Sequence, residues 1–351
     1  AEPIRILHMI GSLNIGGSQS VVINLYKNID RSKIQFDFII DHPNETFYKE
    51  YVDSLGARIF EMPTFTGINI IQVKKAWNRF FQEHPEYRIL HSHVRSYASI
   101  YIPIAQKYGL KTIIHSHSTS NGKGIKSIIK AIMQYPLRNQ ADYFIGCSEE
   151  AGKWLFGSKV VKSDRYFTLK NAIDLSKYVF DQNIRLEYRS QLGLANEITY
   201  IHVGRFHPSK NHRFLIDLFA KIHEYNRNTK LVIVGDGQLR PQIESQISNL
   251  HLENSIILTG NRTDIPNLLF AADCFLFPSN WEGLPVTVVE AQAAGLPCLV
   301  SDRVTEEVAI SGLVHFLPIY SGMECWLDAI KSMNYVKIYV HPEIQKSGFD
   351  I

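Results

Sequence analysis

Short apolar runs recur along this chain, each followed by a polar or amphipathic stretch. In the first half IRILHMI, FDFII, ARIFEM, YRILHS, KTIIHS and DYFIGC carry the length and β-branched or aromatic content of buried strands. Between them, Gln19–Asn28 and Asn69–Glu83 repeat apolar positions at helical spacing. The second half repeats the pattern with ITYIHVG, KLVIVGDG, SIILTG, CFLFPS and PCLVS. Strands alternating with helices predict βαβ units and parallel sheets covered on both faces. The fold class expected is therefore α/β: two Rossmann-like domains, residues 1–173 and 197–351, whose parallel sheets face a central cleft. A polar linker with a short helix, 174–196, joins them.

Composition narrows the picture. A chain of 351 residues is long enough for two domains. With 45% hydrophobic and 20% charged residues it is not a disordered chain. No apolar run approaches the roughly 20 residues needed to span a bilayer, and the opening AEPIRILHMIGSLNIGG reads as a strand and turn, not a signal peptide. The net charge of +3 gives no reason to expect nucleic acid, but residues 1–170 carry +8 and 171–351 carry −5, so the halves are expected to meet different partners. Cys147, Cys274, Cys298 and Cys325 lack zinc spacing and are expected to be reduced thiols of a cytoplasmic protein.

Several motifs carry chemistry. Gly11–Gln19 joins a strand to a helix through Gly16 and Gly17, which let a ligand approach the backbone at a helix N-terminus; a tight turn is the plainer reading. It is not G-x-G-x-x-G, so a dinucleotide is poorly supported. His91-Ser-His93 and His115-Ser-His117 each close a strand. The strand-end His93 and His117 are expected to face the cleft, with His91 and His115 mostly structural. A metal site is the alternative, disfavoured because no Asp, Glu or Cys cluster accompanies the pairs. Gly204-Arg205-Phe-His-Pro-Ser-Lys210-Asn211 places two cations in a loop after a strand, where they can converge on a phosphate. In Glu282-Gly-Leu-Pro-Val-Thr-Val-Val-Glu290, Pro285 suits a first helical turn, Glu282 precedes the helix and Glu290 rides on it. Amides around Gly283, Leu284, Pro285 and Val286 would then point at an anion.

The stretch E-G-L-P-V-T-V-V-E-A-Q-A-A-G-L-P resembles the E-x7-E motif of retaining GT-B glycosyltransferases of family 4, and G-R-F-H-P-S-K-N resembles that family's phosphate-binding loop. V-G-D-G at 234–237, G-N-R-T-D-I at 260–265, A-D-C-F-L-F-P-S at 272–279 and K-N-A-I-D at 170–174 follow in the family's order. Enzymes that build capsular or exopolysaccharide repeats are the nearest in look. The resemblance implies a nucleotide-sugar donor, UDP by default, held mainly by the second domain. It places Arg205 and Lys210 on the diphosphate, Glu290 on the ribose, Glu282 on a sugar hydroxyl, and Asn261 and Arg262 near the base. Gly16 and Gly17 match the family's glycine loop; His117 matches its histidine beside the transferred sugar, with His115 as second choice. His93 is a candidate on the acceptor side. Gln19 stands where the family often has Glu. A last helix crossing back to the first domain would follow Ile351. No D-x-D motif is present, so neither metal nor cofactor is expected.

The expected acceptor is a saccharide or lipid-linked saccharide. In Gly124–Arg138, Ile125, Ile128, Ile129, Ile132 and Met133 share one helical face, beside Lys123, Lys126 and Lys130. A helix packed on its own core with a solvated basic face is the preferred reading. Peripheral contact of residues 123–138 with an anionic inner membrane face is the alternative. The competing functions are a nucleotide-sugar epimerase of similar architecture, a histidine-pair metal hydrolase and a non-catalytic nucleotide-sugar binder.

Overall fold

Every strand-like run becomes a strand of one of two wholly parallel sheets in the computed structural model, which describes residues 2–14, 16–44, 47–121 and 124–351. The first unit, Ala1–Asn171, holds β1 (Ile4–Gly11), β2 (Ile34–Ile40), β3 (Ile59–Glu61), β4 (Ile89–Ser92), β5 (Lys111–Ser116), β6 (Tyr143–Gly146) and β7 (Tyr166–Thr168). Their order is β3-β2-β1-β4-β5-β6-β7. The second unit, Ala172–Ile351, holds β8 (Ile198–Val203), β9 (Thr229–Val234), β10 (Ile256–Gly260), β11 (Cys274–Phe277), β12 (Cys298–Ser301) and β13 (Val314–Leu317), ordered β10-β9-β8-β11-β12-β13. β7 and β13 had no sequence signal: both are short edge strands without a continuous apolar run. In each sheet the order reverses once, between β1 and β4 and between β8 and β11. The loops leaving those strands diverge there and open a crevice, the usual ligand position in open α/β sheets.

The strand period sorts side chains onto the two faces of the first sheet. Leu7, Met9, Leu90 and Ile114 enter a core with Trp77, Tyr101, Phe144 and Phe156. Ile6 and Ile10 turn the other way, toward Val22, Tyr26, Phe36 and Phe38. By alternation His8, His91, His93, His115 and His117 share that second face. In the second unit Tyr200, Leu231, Ile233 and Leu276 pack on Leu215, Phe219, Ile247 and Trp326.

Two expectations change. The 174–196 segment is not a free linker but part of the second unit. Arg185 donates to the carbonyls of Phe270 and Ala272 at 2.8 and 2.9 Å and pairs with Asp273 at 2.6 Å. Arg189 is buried and donates to the carbonyls of Ala195, Glu197 and Ala271. The polar residues that suggested a linker are therefore fasteners. The helix Ile125–Gln134 does not bury its isoleucines either: Ile125, Ile128, Ile129 and Ile132 are 52–77% exposed. It touches the core through Met133, with Gln134 buried and accepting from Asn121. Lys123 lies outside the described residues, as does the Lys126 side chain; Lys130 is exposed, and Arg138 donates to the Leu155 carbonyl.

Gly235 is a point where backbone meets backbone. It sits at φ +135°, and a Cβ there would lie 2.2 Å from the Gly204 carbonyl oxygen. Neither atom belongs to a side chain that can swing away. Gly235→Ala should therefore cost about 2–4 kcal/mol and lower the melting temperature of the second unit by several degrees. Gly17→Ala meets nothing within 4 Å and has no positive φ, so its melting temperature should stay within a degree or two of the parent. Thermal unfolding of the two variants side by side checks both.

Candidate functional site

The reversal between β8 and β11 brings together the loops that carry the strongest motifs. After β8, Pro208–Lys210 makes a single 3-10 turn, and Asn211 takes the left-handed conformation (φ 56°, ψ 46°) before helix His212–Tyr225. Asn tolerates that conformation better than most residues. After β11, Asn280 fastens the second loop to the first: its N–H donates to the Ser209 carbonyl at 2.7 Å and its Nδ2 to the Pro208 carbonyl at 2.8 Å. Lys210 Nζ then lies 2.8 Å from Glu282 Oε1 and 4.7 Å from the centre of the Phe277 ring. The glycine at 204 leaves room for the lysine stem, since a Cβ there would sit 3.1 Å from Lys210 Cδ and Cε. Arg205 is exposed and makes no hydrogen bond or ion pair among the described residues. The V-G-D-G turn supports this loop from behind, with Phe206 N–H donating to the Asp236 carbonyl at 2.9 Å and Arg240 stacked 5.7 Å from the Phe206 ring.

Helix Val286–Ala293 starts directly after the Glu282 loop. Pro285 is its N-cap, one position earlier than the first helical turn expected, and no side chain caps the helix. The Val288 N–H already donates to the Pro285 carbonyl at 3.1 Å, which leaves the amides of Val286 and Thr287 as the helix N–H groups that could meet an anion. On the same helix Tyr178 donates to Glu290 Oε1 at 2.6 Å, and burial raises the pKa of the Glu290 carboxyl. Tyr178 gave no sequence signal. Gln292 was likewise missed: it is fully buried, donates to the Val288 and Val308 carbonyls and accepts from Ile310, Ser311 N–H and Ser311 Oγ. It pins the 308–311 loop to this helix. Asn261 is exposed. Arg262, however, spends its guanidinium fork on Asp264, which holds that carboxyl down to about 2, with Tyr188 donating to it as well.

In the first unit, Gly16 is the extended N-cap of helix Gly17–Asn28 (φ −173°). Neither Gly16 nor Gly17 has a positive φ, and the space beside Gly17 is open. Backbone conformation therefore does not require either glycine; at Gly16 a Cβ would lie 2.5 Å from Gln19 Oε1. Gln19 folds back toward this loop, with Ser18 Oγ donating to it at 3.0 Å. Five imidazoles stack at the ends of β1, β4 and β5. His8 Nδ1 lies 3.0 Å from His93 Nε2, and His93 Nδ1 lies 2.8 Å from His117 Nε2. His91 and His115 stack beside them, with ring centres 5.4 Å apart. His93 is a correction: expected to face an acceptor, it is buried with both ring nitrogens engaged. His8 was missed because a histidine inside IRILHMI looks like one more core position. His117 remains half-buried at the strand end, and its Nδ1 has no hydrogen-bond partner among the described residues.

Two triads, His8–His91–His93 and His93–His115–His117, bring nitrogens within 4.8 Å of one another and could hold a metal. The donor set fits one poorly. Metal-bound imidazole normally gives its second N–H to a carboxylate or carbonyl. Here His115 has no acceptor for either ring nitrogen among the described residues. The cluster is better described as a neutral imidazole chain. Burial lowers all five pKa values, His91 to about 4 and His117 to about 3, the latter helped by the positive Arg95 and by His91.

Unfolded imidazoles protonate near 6.5; the folded ones stay neutral well below that, His91 down to about 4. As pH falls through that window the unfolded state gains protons that the folded state refuses, so stability falls. The slope is up to about 1.4 kcal/mol per pH unit for each histidine. Thermal melts from pH 7.5 to 4.5 should show this loss. His115→Leu, which removes two unpaired buried nitrogens, should flatten it without lowering stability at pH 7.5. A large loss at pH 7.5 would show that His115 has a partner it needs.

Comparison with known proteins places this arrangement. The sequence profile for "Glycosyltransferase Family 4" matches residues 15–177, and that for "Glycosyl transferases group 1" matches residues 184–312. EpsF of Bacillus subtilis (strain 168), a candidate glycosyltransferase, is 33% identical over 332 residues, 93% of this chain and 86% of its own. The UDP-Gal:alpha-D-GlcNAc-diphosphoundecaprenol alpha-1,3-galactosyltransferase of Escherichia coli is 27% identical over 311 residues, 85% of this chain and 79% of its own. Among solved structures, Anabaena HepE in complex with UDP-glucose superposes with a TM-score of 0.79 at 18% identity, covering 99% of this chain and 96% of that one. WaaG, a glycosyltransferase of lipopolysaccharide biosynthesis, superposes with a TM-score of 0.72 at 16% identity, covering 93% and 89%. With matching profiles on both units and a relative of this identity along nearly its whole length, the chain belongs to glycosyltransferase family 4 and is a glycosyltransferase of the GT-B fold.

Proposed function

We propose that the chain transfers a hexose, with retention, from a UDP-sugar to a saccharide acceptor carried on a lipid, in surface-polysaccharide synthesis at the inner face of the cell membrane. The observation that carries this reading is the Lys210–Glu282 pair, which joins the loop that holds Arg205, unpaired among the described residues, to the loop that leads into helix Val286–Ala293. A nucleoside diphosphate supplies a counter-charge for Arg205 and is shared by Lys210 and the first helix amides. Glu282 then accepts from hydroxyls of the donor sugar and Glu290 from those of the ribose. Asn261 lies beside the base; Arg262 serves there through Asp264. The UDP-glucose held by HepE and the UDP-Gal in the name of the Escherichia coli relative support a uridine donor. The diphosphoundecaprenol in that same name supports a lipid-linked acceptor. The epimerase, hydrolase and non-catalytic readings find no support among these relatives.

In the reaction the bond between the anomeric carbon and the leaving phosphate oxygen breaks. The acceptor oxygen bonds to that carbon on the same face, and its proton passes to the departing phosphate. Negative charge grows on the diphosphate, where fixed cations and amides stabilise the transition state more than the ground state. His117, held neutral, hydrogen-bonds the transferred sugar without adding a competing charge.

The exposed isoleucines of helix Ile125–Gln134 supply the membrane contact. An apolar face in water next to a basic stretch is the pattern of an interfacial helix.

Lys210→Ala and Arg205→Ala should each lower turnover with UDP-sugars about 100-fold or more, equivalent to about 2.7–4 kcal/mol of transition-state stabilisation. Near-normal turnover in both would overturn the donor assignment. Separately, the protein should float with phosphatidylglycerol vesicles more than with phosphatidylcholine vesicles. Ile128→Glu with Ile132→Glu should abolish flotation and leave donor hydrolysis in solution unchanged; equal flotation on both lipids would remove the membrane reading.

A further inference from the structure

The first unit holds a part-buried arginine that makes no ion pair among the described residues. Arg95 follows His93 in the loop after β4, at the same strand reversal that carries the Gly16–Gly17 loop. Its Nη1 is buried without a hydrogen-bond partner, and the side chain makes no ion pair among the described residues. The guanidinium carbon lies 5.2 Å from the centre of the Trp154 ring, in helix Glu149–Phe156. Burial lowers the Arg95 pKa to about 10, with Cys147 acting in the opposite sense, and the neighbouring imidazoles are neutral. Other arginines of this chain with buried nitrogens are answered: Arg5 forks onto Asp37, and Arg189 donates to three carbonyls. A buried cation left unpaired is unfavourable, and the residue keeps partial exposure, so an incoming oxyanion can reach its edge. Cation and aromatic ring together suit an anionic group attached to a flat apolar sugar face.

We propose that Arg95, backed by Trp154, binds an oxyanion of the acceptor, a phosphate or carboxylate carried by the sugar that receives the hexose. The proposal rests on the glycosyl-transfer reading for the word acceptor, while the anion site stands on the geometry of the first unit alone. A phosphate would come from the lipid diphosphate linkage, a carboxylate from an acidic sugar.

The test is binding under saturating UDP, so that the cations of the second unit are occupied. The probes are glucose 1-phosphate, glucuronic acid and methyl glucoside, read by ligand-observed NMR. The parent protein should bind at least one charged probe ten times more tightly than the neutral one, and which charged probe binds identifies the source. Arg95→Gln should remove that preference, Arg95→Lys should keep part of it, and UDP affinity should be unchanged in both. Lys210→Gln should do the reverse, weakening UDP and sparing the charged probe. No preference in the parent protein overturns the proposal whatever the variants do. Loss of UDP binding in Arg95→Gln with an unchanged melting temperature also overturns it, because Arg95 would then serve the donor. Failure of UDP to bind the parent protein would sink the donor reading, yet the comparison of charged and neutral probes would still decide the anion site.

Discussion

All the chemistry in this chain is placed by one constraint: both sheets are entirely parallel, and each reverses its strand order once. In a parallel sheet every connection must return to the same edge, so the loops at the carboxyl ends collect on one side. At a reversal two consecutive loops leave in opposite directions and leave a gap. Arg205 and Lys210 stand in the loop after β8, Glu282 in the loop after β11, and these are the two strands that flank the reversal of the second sheet. The Gly16–Gly17 loop and the His93–Arg95 loop follow β1 and β4, which flank the reversal of the first. Residues separated by more than seventy positions in sequence are neighbours for this reason alone.

The two units then solve opposite electrostatic problems. In the proposed reaction the second would hold cations ready for a diphosphate without letting them repel one another. It pairs Lys210 with Glu282, and fastens the loops to each other by backbone and side-chain bonds from Asn280. Gly204 and Gly235 let two main chains touch, so the support behind the loop is rigid peptide and not mobile side chain. The first unit keeps its polar residues uncharged by burial. Its five imidazoles stack, three of them share hydrogen bonds, and desolvation keeps them neutral at ordinary pH. A neutral histidine beside a sugar can give or take a hydrogen bond without drawing the developing negative charge away from the diphosphate.

Most of the fold was legible because strand runs and turn glycines are local signals. What stayed illegible depended on partners distant in sequence. β7 and β13 are edge strands too short to show a period. His8 looks like a core residue in β1, and only the alternation that puts it on the face of His91 and His93 shows what it does. Tyr178 and Gln292 have no motif; their roles come from Glu290 and from the 308–311 loop. The isoleucines of helix Ile125–Gln134 have a helical period, but a period cannot say whether the apolar face is covered. The family pattern singled out Glu282, Glu290, Arg205 and Lys210 by spacing, and the structure brings Lys210 against Glu282.

The charge division along the sequence gains a physical meaning from the site. The first half carries +8 and the second −5, yet the cations that would meet the donor diphosphate lie in the acidic half. Net charge over a domain acts through screened, long-range fields, whereas a diphosphate is held by contacts of a few ångströms. The acidic second unit therefore needs only a few well-placed cations to bind a donor. The excess of the first unit is free to act at longer range, on a charged surface or an anionic acceptor approaching it. Specific recognition and general attraction are thereby carried by different halves of the chain.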